Sequence, residues 1–290
     1  MTITSTLRRL AYGGIVALAL APAAATAQTA TVDEAARAAL PEAVRDGGTL
    51  NVATSLQWAP FAYVSEDNEP VGIDVSLMKI LAGKFGLELN LDNVKFPTII
   101  PGVSSGRYQV GVNQLSMTPE RLSAVDMVPY FETTSVVLLK KGKTVEDVSN
   151  LCGMTFVVTQ GSVQVGQLEQ LSAACVEKGA EPITQQLYPS SAETLLAVAN
   201  GRGDAFLTAR PQAAYITTVN DAVEFNPEDV PNVTRFPAGI VIEKGNAEMR
   251  KAVALALLSA IEDGSYQALL DDYDVGTGAI SADTVREYAQ

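Results

Sequence analysis

Short strand-like segments alternate with helical segments along most of the chain, and this alternation limits the possible folds more than any other feature. The clearest helical period begins at Asp74, where apolar residues recur three and four positions apart until Gly86 ends the pattern. Strand-like segments lie at 49–53, 87–94, 108–112, 136–139, 155–158, 183–187, 205–207, 233–236 and 239–242, and helical segments at 31–45, 74–85, 98–104, 163–171, 190–200, 211–219 and 248–263. This order predicts an α/β protein, and its two strand–helix groups of similar size predict two lobes.

The amino-terminal segment has the features of an export signal rather than of a folded domain. Arg8 and Arg9 supply a positive end, residues 10–20 form an apolar core, and a small-x-small cleavage site ends at Ala27. The apolar core is shorter than a membrane-spanning helix requires. We therefore expect residues 1–27 to be a cleaved signal peptide and the mature protein to reach the periplasm, by Sec or by twin-arginine export.

Composition excludes several classes of function. The chain contains no histidine, so Ser-His-Asp catalysis, Cys-His catalysis and histidine-ligated metal sites are all ruled out. Its formal net charge is −13 and it has no basic run, which makes nucleic acid an improbable partner. We expect no catalytic residue, no metal and no cofactor.

Two cysteines, Cys152 and Cys175, stand 23 residues apart. In an oxidising compartment an isolated pair suggests a disulfide, and the alternative is two buried free thiols. The first precedes a predicted strand and the second follows the helical stretch 163–171. A bridge would tie the end of that helix to the start of the strand and would stabilise the fold by about 3 kcal/mol.

Arg121 follows a strand-like run and a polar loop that contains Ser116 and Thr118, and it stands two residues after Pro119. Proline is frequent in the first turn of a helix, so Arg121 is expected in the first turn of a helix that starts at a strand end. Open α/β sheets bind ligands at such strand ends. An arginine beside hydroxyls and free N–H groups suits a carboxylate. Taken alone, the same pattern fits a solvated surface charge better.

Eight stretches together resemble the amino-acid-type (family 3) periplasmic solute-binding proteins of ABC importers. They are Trp58-Ala59-Pro60-Phe61, Val71-Gly72-Ile73-Asp74, Ile100-Pro101 with Ser105-Gly106-Arg107-Tyr108, the loop from Ser116 to Arg121, Pro129-Tyr130, the stretch from Leu151 to Gly161, Gly201-Arg202-Gly203-Asp204-Ala205, and the stretch from Gly239 to Gly245. Each motif alone is weak. Their correct order, from about residue 40 to about residue 275, carries the resemblance.

The resemblance implies a two-lobed periplasmic-binding-protein-like fold of type II, with two hinge crossovers and the ligand in the cleft between the lobes. Residues 28–45 would form an amino-terminal leader. Lobe 1 would comprise residues 46–133 and 239–290, and lobe 2 would comprise residues 134–238. The resemblance also implies delivery of a small carboxylate ligand to a membrane permease, and we expect the protein to be a monomer.

Several residues of this chain match the positions that hold the ligand carboxylate in the family. Arg121 matches the arginine that clamps the carboxylate through two parallel hydrogen bonds, and Ser116 matches a hydroxyl that assists it. Thr118 lies beside them, and Gln114 stands where serine, threonine or glycine is commoner. In lobe 2, Ser162 matches the residue that donates to the same carboxylate from a helix start.

Other matched positions concern the rest of the ligand. Trp58 and Phe96 match aromatic or apolar residues that flank it, although either could instead be ordinary core. Ala209 occupies the position of the aspartate that usually holds the ligand's α-ammonium group, and Ser55 and Val163 also replace commoner residues. The missing aspartate predicts weak binding of ordinary α-amino acids, because a buried ammonium group needs a compensating charge.

Three further expectations concern charged residues near the predicted site. Another acid, such as Glu243, could replace the missing aspartate; otherwise the ligand is a modified amino acid or a carboxylate without an α-amine. Arg210 could meet a second acidic group on the ligand. Asp74 is expected to cap its helix rather than to touch the ligand.

The resemblance leads to one main hypothesis and two alternatives. The main hypothesis is a binding protein that closes on a small carboxylate and delivers it to the permease of an ABC importer. The first alternative is a periplasmic enzyme that resembles cyclohexadienyl dehydratase and uses the same fold, although no glutamate at a lobe 2 cleft position could be identified from sequence. The second is a sensor, in the form of a receptor ectodomain or a fused regulator.

Overall fold

The computed structural model describes residues 31–290, so the expected signal peptide lies outside the described residues. The strands are β1 (Thr49–Thr54), β2 (Gln57–Trp58), β3 (Ala62–Val64), β4 (Pro70–Val71), β5 (Glu88–Asn93), β6 (Val110–Gly111), β7 (Val125–Phe131), β8 (Ser135–Lys140), β9 (Thr155–Thr159), β10 (Thr184–Tyr188), β11 (Ala205–Ala209), β12 (Val223–Phe225) and β13 (Ala238–Glu243). The α-helices are α1 (Glu34–Ala38), α2 (Glu42–Gly47), α3 (Ile73–Phe85), α4 (Ile99–Ser104), α5 (Pro119–Ala124), α6 (Val163–Glu177), α7 (Ser191–Ala199), α8 (Arg210–Val219), α9 (Ala247–Glu262), α10 (Ser265–Asp272) and α11 (Ala282–Arg286). Two short 3-10 helices cover Phe96–Thr98 and Gly276–Gly278.

Two five-stranded sheets form the centres of two lobes. The first sheet has the order β5-β1-β6-β13-β7, in which β1 pairs in parallel with β5 and β6, while β13 is antiparallel to β6 and β7. The second has the order β10-β9-β11-β8-β12, in which β9 pairs in parallel with β10 and β11, while β8 is antiparallel to β11 and β12. The two lobes therefore share one plan. Strands β2, β3 and β4 form a small antiparallel sheet beside the first lobe.

The chain passes between the two sheets twice. It leaves the first sheet after β7 and enters the second at β8, and it returns from β12 to β13. The first crossover is residues 132–134 and the second is residues 226–237. This topology confirms the predicted two-lobed fold with two crossovers, whereas the domain boundaries stay a prediction.

Helices cover both faces of each sheet, which explains the apolar character of the central strands. On one face of the first sheet, a cluster that includes Leu77, Phe85 and Leu257 joins α3 and α9 to the strands. On the other face, Ile99 and Val103 of α4 pack against strand residues. The second sheet is covered in the same way by α6 on one face and by α7 and α8 on the other. No helix within residues 31–290 is both long enough and apolar enough to cross a membrane.

Capping residues place several helix ends where the sequence predicts them. Gly86 follows α3 in the left-handed conformation, with φ of 64°. The Ser190 hydroxyl accepts a hydrogen bond from the Glu193 N–H at 3.2 Å, so Ser190 caps α7 as predicted. The reciprocal bond of the capping box differs, because the Glu193 carboxylate accepts from the Ser190 hydroxyl at 3.1 Å rather than from the Ser190 N–H. Asn246 caps α9 by accepting from the Met249 N–H at 3.0 Å.

The predicted disulfide between Cys152 and Cys175 is present, with 5.6 Å between the two Cα atoms. Helix α6 continues to Glu177, six residues beyond the predicted end, so Cys175 lies inside its last turns rather than after the helix. Cys175 and Leu168 are both buried and stand seven residues apart, which places them on one helix face. The bridge therefore fastens a helix face to the loop that precedes β9.

The structure differs from the strand predictions at one predicted segment that forms no strand and at five strands that were not predicted, namely β2, β3, β4, β7 and β12. Residues 233–236 form no strand and belong to the second crossover. Strand β7 was not predicted, because Pro129 lies within it and proline lacks the N–H that a central strand needs. The structure resolves the conflict by placing β7 at the edge of the first sheet, next to β13 only.

Candidate functional site

A cavity of about 370 Å³ lies between the two lobes, at the strand ends of both sheets. Its volume falls within the range of small-molecule sites. Seven of the predicted site residues line it, namely Trp58, Phe96, Gln114, Ser116, Arg121, Ser162 and Val163. The fold thus brings residues from separate loops of both lobes to one place.

Arg121 connects the two lobes at one end of the cavity. Its guanidinium group donates to the backbone oxygen of Ser116 in the first lobe and to that of Gly161 in the second lobe, each at 2.9 Å. Burial lowers the pKa of Arg121 to about 10, so the group still carries its charge at neutral pH. In residues 31–290, no carboxylate forms an ion pair with it. A partly buried cation with only carbonyl partners favours an anion in the adjacent space.

Ser162 faces the same space from the second lobe. It occupies the N-cap position of α6, but its hydroxyl makes no capping hydrogen bond. That hydroxyl oxygen is buried and has no hydrogen-bond partner in the described part of the chain. The amino end of a fifteen-residue helix carries partial positive charge and free N–H groups. Arg121 and the start of α6 therefore present donors to one region of the cavity from opposite lobes.

Gln114 is held in place by a buried pair of polar side chains. Its N–H donates to the Asp74 carboxylate at 2.9 Å and to the Tyr130 hydroxyl at 3.0 Å. The Tyr130 hydroxyl in turn donates to the second oxygen of Asp74 at 2.5 Å. Gln114 has a φ of 49°, which is unusual for a residue other than glycine, and these bonds stabilise it there. The Gln114 side chain accepts a hydrogen bond from the indole of Trp58 at 3.1 Å.

The predicted role of Asp74 as a helix cap is wrong. Gly72 is the N-cap of α3, and Asp74 is fully buried two residues into the helix. Burial raises the pKa of Asp74 to about 7, against the opposing hydrogen bonds from Tyr130 and Gln114. Asp74 does not line the cavity, and it acts on the site only through Gln114.

Two predicted site residues lie outside the cavity lining. The hydroxyl of Thr118 is used as the cap of α5, where it accepts from the Arg121 N–H at 3.3 Å, and Thr118 lines a neighbouring groove instead. Ala209 ends β11 with its side chain packed in the lobe and only 1% exposed. A buried methyl group in that position gives the cavity neither charge nor a hydrogen bond.

The two charged residues considered for other parts of the ligand also lie elsewhere. Arg210 forms an ion pair with Asp229 at the second crossover. Glu243 is exposed at the end of β13, paired in register with Val125, and does not line the cavity. Neither residue takes the place of the missing aspartate.

Sequence reasoning overlooked several polar residues that line the cavity, and two of them, Asn113 and Glu193, bear most on its chemistry. Asn113 donates to the backbone oxygen of Ser55 at 3.0 Å, while its side-chain oxygen is buried and has no partner in the described residues. Glu193 was interpreted only as a member of the capping box. The signal that could have found both is their position after a strand, at the edge where the loops of an α/β sheet meet.

A second cavity, of about 860 Å³, lies along the two crossovers and shares no lining residue with the first. Its two arginines, Arg210 and Arg235, both pair with Asp229, which also accepts from the Thr134 hydroxyl at 2.6 Å. Because these charged groups satisfy one another, the larger volume offers a weaker receptor for a ligand. Within residues 31–290 no cluster of acidic, cysteine or histidine side chains has the arrangement of a metal site.

Comparison with known proteins gives this arrangement its context. The sequence model of the bacterial extracellular solute-binding proteins, family 3, matches residues 50–276, which is well over half of the chain. The chain belongs to this family. The extracellular solute-binding proteins of family 3 act outside the cytoplasm, in agreement with the predicted export.

Relatives within family 3 match the chain over most of its length. The arginine-binding protein ArgT of Corynebacterium glutamicum is 24% identical over 253 residues, which cover 87% of this chain and 82% of ArgT. The L-cystine-binding protein TcyJ of Escherichia coli is 28% identical over 269 residues, which cover 91% of this chain and 97% of TcyJ.

Solved structures of amino-acid-binding proteins agree with the fold. An ancestral arginine-binding protein bound to arginine is 28% identical, with a TM-score of 0.68, and the match covers 78% of this chain and 98% of that one. The ancestral amino acid-binding protein AncCDT-1 is described as a precursor of cyclohexadienyl dehydratase. It is 26% identical, with a TM-score of 0.67, and the match covers 79% of this chain and 97% of the AncCDT-1 chain.

Proposed function

We propose that this protein is the periplasmic solute-binding component of an ABC importer, and that it binds a small carboxylate between its lobes for delivery to a membrane permease. The observation that supports this most directly is the guanidinium of Arg121. It is partly buried, keeps its charge and donates only to two backbone oxygens, one from each lobe. A carboxylate in the cavity would supply the missing counter-charge.

The surrounding donors suit the same group. A carboxylate beside Arg121 can accept from the remaining guanidinium N–H groups and from the hydroxyls of Ser116 and Ser162, which both line the cavity. Its charge is also favoured at the amino end of α6. These contacts come from both lobes, so a bound carboxylate stabilises the arrangement in which the lobes are close together. Binding would therefore shift an open–closed equilibrium about the two crossovers.

The ligand class that we propose is small carboxylates, with amino acids first among them. ArgT and TcyJ are named for arginine and L-cystine, which are both amino acids. Ala209 removes the usual partner of the α-ammonium group, and the unpaired side-chain oxygen of Asn113 is a neutral acceptor in the same cavity. A modified amino acid or an organic acid without an α-amine belongs to the same class and meets the same carboxylate receptor.

We propose binding rather than catalysis for this site. The similarity to AncCDT-1 favours testing a dehydratase activity, because that protein is described as a precursor of such an enzyme. A general acid that works near neutral pH is usually a carboxylic acid buried from water. The one carboxylate in the cavity lining of residues 31–290, Glu193, is exposed. Incubation with prephenate is the direct assay, and turnover that depends on Glu193 would support an enzyme instead.

Native mass spectrometry of the exported protein tests the proposed function. We expect a small carboxylate to copurify with the protein and to be lost from the variant Arg121→Lys, because lysine keeps the charge but lacks the planar pair of donors. The control is Arg286→Lys, an exposed arginine on α11. Calorimetry with the identified compound should show affinity reduced roughly a hundredfold by Arg121→Lys and unchanged by the control. Equal affinity in all three proteins would contradict the proposal.

A further inference from the structure

Glu193 is the one carboxylate among the lining residues of the cleft cavity that the structure describes. Resting on the proposed function, we propose that Glu193 is the residue that selects a cationic group on the ligand, at the end away from the ligand's own carboxylate. The preferred ligands are then carboxylates with a distant positive charge, of which the basic amino acids are the simplest.

The order of the strands separates Glu193 from the carboxylate end of the cavity. Arg121 lies in the first turn of α5, the helix that follows β6, and Ser162 follows β9. Glu193 follows β10, the edge strand of the second sheet, and Phe96 follows β5, the edge strand of the first. Neighbouring strands lie about 4.8 Å apart, so this end of the cavity is displaced from Arg121 by about 5–10 Å. A long amino acid side chain bridges such a distance.

The Glu193 carboxylate is available to a ligand. One of its oxygens accepts from the Ser190 hydroxyl at 3.1 Å, and the group takes part in no ion pair within the described residues. A carboxylate has about four acceptor positions, so most of them stay open. The hydrogen bond to Ser190 also restricts the side chain, which limits the entropy lost when a ligand binds.

The nearby lining also favours a cation. Gln57 and Asn93 are neutral amides that accept hydrogen bonds, and Trp58 offers an aromatic face that attracts positive charge. Lys95 is the opposing feature, because it lines the cavity and would favour an acidic group. Lys95 is exposed, and its ammonium group ends a long flexible side chain, so this group can turn to solvent at little cost in free energy. Glu193, fixed by Ser190, has less freedom to do so.

A test must separate selection of a charge from the structural role of Glu193 in its capping box. Glu193→Gln removes the charge and keeps the box, because glutamine serves equally at that position. Glu248→Gln is the matched control, since Glu248 is also an exposed glutamate in the first turn of a helix, α9, and does not line the cavity. The probes are L-arginine and L-citrulline, which have similar shapes but differ in side-chain charge.

Calorimetry should show that the native protein binds L-arginine about tenfold more tightly than L-citrulline, as expected for a partly solvated charge-assisted hydrogen bond. Glu193→Gln should reduce the ratio of the two affinities to about one, mainly by lowering the affinity for L-arginine. Glu248→Gln should leave the ratio unchanged. Comparing two ligands in two proteins isolates the interaction between the two charges.

Three results would overturn the inference. The first is a ratio of L-arginine to L-citrulline affinity that is the same in Glu193→Gln as in the native protein. The second is a native protein that does not prefer L-arginine to L-citrulline. The third is tighter binding of L-glutamate than of L-arginine, which would indicate that Lys95 selects the ligand instead. If L-arginine or another carboxylate still requires Arg121 in any of these cases, the proposed function survives and only the selection by Glu193 is wrong. If no carboxylate requires Arg121, both fail.

Discussion

The indole N–H of Trp58 donates a hydrogen bond to the side-chain oxygen of Gln114 at 3.1 Å, and both residues line the cleft cavity. A residue with a smaller side chain is commoner at position 114 in the proteins that the sequence resembles. Glutamine is long enough to reach the indole, and the bond fixes the plane of an aromatic ring that is 8% exposed. The shape of one cavity wall therefore depends on this pair.

Trp58 should report ligand binding directly. It is the only tryptophan of the chain. Entry of a ligand and approach of the lobes change the water contact of the indole, so we expect its emission maximum and intensity to change when ligand is added. Titration monitored by fluorescence checks this expectation. An emission spectrum that stays constant while calorimetry shows binding would mean that Trp58 does not border the occupied space.

The variant Trp58→Phe should bind ligand about three- to tenfold more weakly, because it leaves the side-chain oxygen of Gln114 without its donor. Calorimetry measures the change. Tyr288→Phe is the control, since it also removes a polar group from an aromatic ring but lies near the carboxyl terminus and outside the cavity lining. An affinity loss of the same size in both variants would contradict the role of the Trp58–Gln114 bond.

Reduction of the disulfide should lower stability while leaving binding intact. A bridge that closes a loop of 23 residues contributes about 3 kcal/mol. The double variant with Cys152→Ser and Cys175→Ser should therefore show a lower urea midpoint, and reductant should have no further effect on it. Neither cysteine lines the cleft cavity, so ligand affinity should not change. Weaker binding by the double variant would mean that the bridge also shapes the start of α6 at Ser162.

The pKa of Asp74 predicts an unusual dependence of stability on pH. Burial raises that pKa from 3.8 to about 7, so the folded protein holds the proton more tightly than the unfolded chain does. The contribution of Asp74 to stability is then complete below pH 4 and is lost as pH rises to about 7. Relative to the variant Asp74→Asn, the native protein should lose on the order of a few kcal/mol across this interval.

Asp126 provides the control for this pH dependence. Burial alone would raise its pKa, but hydrogen bonds from Lys244 and Gly245 outweigh that effect and lower it. Its contribution is present above pH 4 and is lost only at lower pH. The stability difference between native protein and Asp126→Asn should therefore stay constant from pH 5 to pH 8, measured by urea unfolding. A similarly constant difference for Asp74→Asn would show that Asp74 is already ionised at pH 5.

Gly72→Ala should destabilise the protein by more than about 2 kcal/mol. Gly72 has a φ of 121°, and an added Cβ atom would collide with the backbone oxygens of Pro60 and Phe61. Gly47→Ala is the control, because its added Cβ meets nothing within 4 Å and its φ is ordinary. Thermal unfolding of the two variants gives the comparison. Equal midpoints would show that the loop before α3 can move aside.

Local signals in the sequence predicted much of the secondary structure. The apolar period before Gly86 and the capping pairs at Ser190 and Asn246 fix helix ends through short-range hydrogen bonds, which residue spacing shows directly. Strand β7 was missed because Pro129 argues against a strand unless its place at a sheet edge is known. Sheet order is a property of distant segments, so spacing alone does not supply it.

The cavity was predictable only in part, because its lining comes from segments that are distant in sequence. Arg121 and Ser162 belong to motifs that the resemblance places, and both line the cavity. Thr118 lies outside the cavity lining, because a hydroxyl beside an arginine can either face a ligand or cap a helix, and this one caps α5. Glu193 was overlooked because its capping role already explained its presence. Only the approach of α7 to the opposite lobe gives this residue a place in the cleft.

The position of β13 determines the order in which the chain can assemble. This strand lies between β6 and β7 in the first sheet, although more than 100 residues separate it from each of them in sequence. The second sheet, by contrast, consists of consecutive strands and is complete at Phe225. If the chain crosses the membrane amino end first, the second lobe therefore leaves the membrane before β13 does. Until β13 follows, the first sheet lacks the strand between β6 and β7.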